Sequence, residues 1–322
     1  MLPFRLIYSD AYDLKLGVHV FPARKYRLIH DRLLEEGFAE PSDFLEPQPI
    51  TDDEVMLVHG REWVTKLKTG RLTYEEILQL EIPFSHDMVA AVWRATGGTL
   101  LAAERALAGD RIGINLGGGF HHAFPDHGEG FCPINDIAVA IRSLQRRGVI
   151  RKAMVIDCDV HHGNGTAAIF AGDPMVSTIS IHQYNNYPAR KPPSTIDIHL
   201  EDGVGDEEYL RRLRETCQLA IPGYRPDLLY YVAGADPYQE DQLGGLNLTI
   251  EGLMARDRLV FDLAQSHRVP VAVVLAGGYA IDTNDTVAIH CNTIRVPSSG
   301  AATNPAISAG HDTPGGVHSK AE

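Results

Sequence analysis

The chain has 322 residues, 44% of them hydrophobic and 22% charged, with a formal net charge of −13. This is the make-up of a globular protein with a sizeable core, and the negative charge argues against nucleic acid as a direct partner, because the phosphate backbone dominates such affinity. The cysteines (Cys132, Cys158, Cys217, Cys291) include no close pair, which excludes a zinc knuckle or disulfide framework, and neither a signal-peptide layout nor a membrane-spanning apolar run is present, so a reducing cytoplasm is the expected setting.

Apolar, strand-like runs occupy residues 5–8, 112–116, 153–157, 175–181, 227–233 and 271–276. Helix-like stretches fall at 23–36, 87–108, 135–147, 164–170, 206–220 and 250–266; in the fifth, Tyr209, Leu210, Leu213 and Cys217 keep one face apolar. Strands alternating with helices over most of the chain predict an α/β fold: one domain over residues 1–296, a mainly parallel sheet with helices on both faces. Residues 297–322 are rich in Ser, Gly, Ala, Thr and Pro without hydrophobic periodicity and read as a disordered tail, with His311 and His318 as solvated bystanders.

The polar chemistry falls just past the carboxyl ends of strands, where such sheets place their sites. The run ending at Asp157 is followed by Cys158-Asp159-Val160-His161-His162-Gly163-Asn164-Gly165. In an extended chain Asp157, Asp159 and His161 share one face; two carboxylates and an imidazole together suit a divalent cation better than helix capping by the aspartates alone. Three other strands exit through glycines: Gly117-Gly118-Gly119-Phe120-His121-His122, Gly234-Ala235-Asp236 and Gly277-Gly278-Tyr279. Asp236 is the natural third ligand beside Asp159 and His161, a set that leaves an open coordination position as catalytic sites do. Zinc fits it best, and oxygen-rich ligation also suits iron(II) or cobalt. His121 and His122 can carry the proton transfers of amide hydrolysis, and Tyr279 can donate to a developing oxyanion. Taken singly, the tandem histidines could be a satisfied polar pair, Tyr279 a core aromatic and Asp236-Pro237 a turn. The conjunction is what points to amide hydrolysis.

These four segments resemble the signature motifs of the histone deacetylase superfamily, which includes acetoin-utilisation proteins and acetylpolyamine amidohydrolases on the arginase-type α/β fold. The match runs in order from about Tyr8 to Arg295, and the stretches from Phe21 to Tyr26 and from Asp285 to Ala288 look most similar to class IV-like members and their bacterial relatives. The resemblance implies a metal-dependent deacetylase acting on acyl-lysine. Asp159, His161 and Asp236 would hold the zinc. His122 would be the general base and then the acid, and His121 its electrostatic partner, oriented by Asp157. Tyr279 would polarise the scissile carbonyl, while Gly130 and Phe131, with Tyr187 opposite, would line the acyl-lysine tunnel. A potassium site would use Asp157, backbone carbonyls of Asp159 and His161, and Ser180 with Ile181; an outer one would involve Phe170, Asp173, Val176 and Tyr209.

Departures from the family pattern matter. Asn164 stands where class I members carry an aspartate, and a neutral partner stabilises imidazolium less, so His122 is expected to stay neutral to a lower pH. No strong acidic candidate precedes Asp87 to grip a peptide backbone; Glu81 is the nearest. Four readings compete with an acyl-lysine deacetylase. They are an acetylpolyamine deacetylase, which an acid at the tunnel mouth would favour, a preference for longer acyl groups, an arginase-like ureohydrolase, which needs more carboxylates at the strand exits, and a catalytically silent acyl-lysine-binding module, against which the intact polar set argues.

Overall fold

The computed structural model describes residues 1–299. Among them eight strands form one sheet, every pair parallel. They are β1 (Arg5–Ile7), β2 (Phe44–Leu45), β3 (Ile112–Asn115), β4 (Ala153–Asp157), β5 (Val176–Gln183), β6 (Ile196–Leu200), β7 (Leu228–Val232) and β8 (Val271–Val274). Their spatial order is β2-β1-β3-β8-β7-β4-β5-β6. Strands β4, β5, β7 and β8 are buried at every position, which is why they read as unbroken apolar runs. All the long runs expected from the sequence are strands; β2 and β6, at the two edges, are additions.

Helices α1 (Lys25–Glu35), α2 (Asp52–Val55), α3 (Arg61–Thr69), α4 (Tyr74–Leu80), α5 (His86–Arg105), α6 (Asp136–Arg146), α7 (Asn164–Ile169), α8 (Asp206–Tyr224), α9 (Ile250–Ser266) and α10 (Thr283–Ser299) complete the described fold. They lie on both faces. On β3, Gly113 and Asn115, two residues apart, both face α5: a Cβ on Gly113 would come within 2.0 Å of the Ala102 carbonyl oxygen, and the Asn115 amide donates to the Ala95 carbonyl at 2.9 Å. On β7, the Tyr231 hydroxyl donates to Asp257 of α9, and its neighbour Tyr230 points to the opposite face as strand alternation requires. Helix α10 runs to Ser299; the expected tail from residue 300 on, with His311 and His318, lies outside the described residues. The four cysteines are buried free thiols, and no described helix is long and apolar enough to cross a membrane.

Register is what positions the site. Asn115 pairs with Val274, Val274 with Val232, Val232 with Asp157, and Asp157 with Ser180. These residues form one transverse row across five adjacent strands. The glycine-led segments after β3, β8 and β7, and the Asp159–His161 segment after β4, therefore leave the sheet at one level and side by side.

Candidate active site

The exits after β3, β4 and β8 are held by side chains that accept their backbone N–H groups, whereas after β7 Ala235 N donates to the Gly277 carbonyl at 2.7 Å. Asp136, at the start of α6, accepts from Gly119 at 3.0 Å, Phe120 at 2.7 Å and the Thr99 hydroxyl at 2.6 Å. Gly118 and Gly119 take φ of +83° and +81°, and a Cβ on Gly118 would lie 2.4 Å from that carboxylate; only glycine fits. After β4 the chain does not stay extended. Asp157 Oδ1 accepts from Asp159 N at 3.1 Å and Asp159 Oδ1 from His161 N at 3.0 Å, two local turns built by aspartate side chains. The predicted common face of Asp157, Asp159 and His161 is thereby split. Asp157 turns to His121, and Asp236 joins the other two.

Asp159, His161 and Asp236 are buried, with ligand atoms all within 4.8 Å of one another. His161 Nδ1 stands 3.0 Å from Asp159 Oδ1 and 3.3 Å from Asp236 Oδ2. Val160 N donates to Asp236 Oδ1 and Gly277 N to Asp159 Oδ2, each at 2.9 Å, whereas the buried Asp236 Oδ2 has no hydrogen-bond donor. Burial and the neighbouring Asp159 push the Asp236 carboxyl up to about 7; against its own burial, His161 is drawn up to about 10 by the two carboxylates. A Cβ on Gly277 would sit 1.9 Å from Asp236 Oδ2 and 2.5 Å from Asp159 Oδ2, so the glycine keeps this space open. Two crowded carboxylates, one imidazole and an orphaned oxygen fit a divalent cation.

Beside them stands the histidine pair. His121 Nδ1 is 2.7 Å from Asp157 Oδ2, His122 Nδ1 is 2.7 Å from Asn164 Oδ1, and the two Nε2 atoms face each other at 3.0 Å. An Nε2–Nε2 contact holds one proton, so the pair carries a single charge. Burial opposes that charge on His121, but Asp157 and Asp159 outweigh it and raise the ring to about 9. Burial, then the proximity of His121 and His161, holds His122 well below the usual imidazole range. His122 is thus the neutral ring of the pair, and its contact with Asn164 works against the lowering that burial and the neighbouring rings produce.

These groups floor a cavity of about 230 Å³ whose walls include Phe21, Gly130, Phe131, Tyr187, Leu243 and Tyr279. The Phe131 ring packs edge-on against Phe21 and Tyr279, each at 5.9 Å, and Tyr187 lies edge-on to His122 at 4.9 Å. The sequence-predicted wall residues are thus brought together with Asp159, His161 and His122 around one cavity. Burial, reinforced by Asp159, keeps the Tyr279 phenol protonated far above neutrality, so it can act as a donor. Glu81, exposed and in the left-handed conformation (φ 58°) at the end of α4, also lines the cavity; partial burial and Glu129 raise its carboxyl.

Several contributors escaped the sequence reading. Lys25 is fully buried, its ammonium 2.5 Å from the Ala276 carbonyl and 5.9 Å from the Tyr279 ring centre; burial lowers it to about 8. Asp241 accepts from Tyr279 N at 2.6 Å. Glu129 lies behind Asn164 and beside Tyr187; an acid framed by two glycines just before a wall residue was the available signal. His162, His182 and Asp197 form a second ligand-type cluster, in which His162 Nε2 meets Asp197 Oδ1 at 3.1 Å and His182 bonds Ser180 and His199 at 2.9 Å each. Asp157 and Ser180 of the inner potassium set are strand partners. Of the outer set, Asp173 N donates to the Phe170 carbonyl at 3.0 Å and Val176 N to the Asp173 carbonyl at 3.3 Å, and the Asp173 carboxylate is ion-paired to Arg142 at 2.7 Å.

Comparison with known proteins agrees with this geometry. The histone deacetylase domain family matches residues 19–294, and the chain belongs to that family. An uncharacterised protein of Picosynechococcus sp. is 40% identical over 89% of this chain and 96% of its own length. Histone deacetylase 2 of Arabidopsis thaliana is 31% identical over 85% and 74%, and acetoin utilization protein AcuC of Staphylococcus aureus 29% over 81% and 72%. The crystal structure of the HDA15 HD domain superposes with a TM-score of 0.79 at 26% identity, covering 91% of this chain and 90% of that one. The sheet and its surrounding helices are those of the arginase/deacetylase fold.

Proposed function

We propose that this chain is a zinc-dependent hydrolase that removes acyl groups, acetyl foremost, from lysine side chains. The carrying observation is the buried Asp159–His161–Asp236 cluster, with its orphaned carboxylate oxygen, at the foot of an apolar cavity that also presents His122 and Tyr279. Asp159, His161 and Asp236 would hold the metal, which when bound supplies Lewis acidity toward water and the carbonyl oxygen. Phe131 and Tyr187 flank the lysine methylenes, and the dry walls exclude bulk water. His122 Nε2 takes a proton from the attacking water as the new C–O bond forms. Tyr279 donates its hydroxyl to the carbonyl oxygen as negative charge develops there. The His121 charge, held by Asp157, stabilises that anion. His122 then returns its proton to the amine nitrogen as the C–N bond breaks, leaving carboxylate and free amine. Asp157, Ser180 and Ile181 would bind potassium at the back of the site.

A second reading, an acetylated polyamine as substrate, is favoured by Glu81 at the mouth, where a carboxylate would meet a free ammonium. One assay separates them. Metal-reconstituted protein is given acyl-lysine peptides from acetyl to myristoyl and N-acetylputrescine, beside His122→Ala and Tyr279→Phe. The reading expects peptide turnover that falls about 100- to 1,000-fold in Tyr279→Phe and is lost in His122→Ala. Preference for N-acetylputrescine that disappears in Glu81→Gln selects the second reading, and absence of all turnover refutes both.

A further inference from the structure

The base His122 does not end its hydrogen-bond chain at Asn164. Glu129 Oε1 accepts from Asn164 Nδ2 and, at 3.3 Å, from the Tyr187 hydroxyl; its other oxygen accepts from Gln79 Nε2 at 3.2 Å and faces His127 Nε2 at 3.6 Å. The loop that delivers it is built for close approach. A Cβ on Gly130 would lie 2.8 Å from the His122 ring and 2.9 Å from that of Tyr187, and one on Gly128 would lie 2.6 Å from the Cys132 carbonyl oxygen. Gly130 N and Phe131 N donate to the carbonyls of Gln79 and Leu80 at the end of α4, which pins Glu129 in place.

An ionised carboxylate only accepts hydrogen bonds. The Asn164 group facing it must be the NH2, so the amide oxygen must face His122. That oxygen also only accepts, so His122 Nδ1 carries the proton and the lone pair of the neutral ring is on Nε2, the atom that meets His121 Nε2 at 3.0 Å in the wall of the cavity. We propose that Glu129 is a positioning residue that fixes the amide orientation of Asn164 and, through it, the tautomer of His122, while tethering the tunnel wall at Tyr187. This rests on the reading of His122 as the base. It recasts Asn164 as half of a matched pair. The negative charge stands one residue further from the imidazole, and an aspartate at 164 would lie directly against Glu129, where like charges repel.

The test pairs nitrogen-15 NMR of the histidine rings with kinetics, for wild type, Glu129→Gln, Asn164→Asp and the double variant Asn164→Asp/Glu129→Gln. His122 is assigned by its absence in His122→Ala. The expected wild-type signature is a single Nδ1–H tautomer, and Glu129→Gln, whose amide can present either atom, mixes the tautomers and lowers kcat about 10- to 100-fold. Asn164→Asp alone loses activity, and adding Glu129→Gln restores kcat at least tenfold over it, a rescue that a merely structural role does not produce. An unchanged tautomer in Glu129→Gln, or a double variant no better than Asn164→Asp, overturns the proposal. Because the NMR readout needs no turnover, a Glu129-dependent tautomer in an inactive protein upholds the positioning role and refutes the hydrolase reading instead.

Discussion

Arg256 offers the sharpest test of how the fold supports the site. Its side chain is fully buried in α9. Nη1 donates to the Gly234 carbonyl at 2.6 Å and the Cys158 carbonyl at 3.3 Å; Nε and Nη2 donate to Asp257 Oδ1 at 3.0 and 2.8 Å. Asp257 in turn accepts from Tyr231 and Thr293. One guanidinium therefore ties the loops that carry Asp236 and Asp159 to a buried carboxylate. Arg256→Met keeps much of the volume but leaves Asp257 as an uncompensated buried charge, a loss of about 3–5 kcal/mol. Against a total stability of about 5–15 kcal/mol this is a large fraction. It should appear in urea unfolding, with chelator present to remove metal linkage, as a lower midpoint at unchanged slope. Metal affinity measured by competition should fall about 10-fold or more, because the loops of both carboxylate ligands lose their tether. Adding Asp257→Asn removes the bare charge, and its amide can donate to the Thr293 hydroxyl, which itself bonds the Ile289 carbonyl; the double variant should be more stable than the single one. A loss under about 1 kcal/mol in Arg256→Met, or a double variant that is the less stable, would refute the reasoning.

Two further outcomes follow from the geometry. Gly277→Ala places a methyl against Asp236 Oδ2 and Asp159 Oδ2, so it should abolish stoichiometric metal binding by calorimetry while leaving the far-ultraviolet dichroism of the fold intact. His59 is buried between the Phe124 carbonyl and the Asn135 N–H, each at 2.9 Å, and burial lowers it to about 4. A histidine with folded pKa below its unfolded value contributes stability above about pH 6.5 that is lost as pH falls toward about 4. The shift corresponds to about 3 kcal/mol, and the acid slope of unfolding free energy should flatten by that amount in His59→Gln.

The parts of the molecule that were legible in the sequence are those where local pattern and burial agree. Strands β4, β7 and β8 are apolar because both faces are covered, and their exits carry glycines with acids after β4 and β7 and with Tyr279 after β8, residue types that declare their chemistry. Helix α10 went unread for the opposite reason. Its fully buried positions include the polar Thr286, His290 and Thr293 beside Cys291 and Ile294, so polar residues dilute the apolar pattern of the face that packs. Edge strand β6 likewise mixes Asp197 and His199 with apolar residues, and β2 has only two residues to give a signal.

The same division runs through the site. The proposed metal ligands, the histidine pair and the tyrosine sit in motifs contiguous in sequence, whereas Glu129, Lys25, Asp241 and Arg256 act on partners brought by other strands and helices. Lys25 shows why spacing cannot reveal them. On an isolated helix its charge marks the solvent side, and only the register of β3, β8, β7 and β4 makes a buried cation beside Asp159 and Asp236 tolerable, because those two carboxylates raise its pKa against the burial that lowers it. Such residues are legible only after the row of strand ends is known. The motif residues supply the chemistry; the residues behind them hold each group in the protonation state and orientation that this chemistry requires.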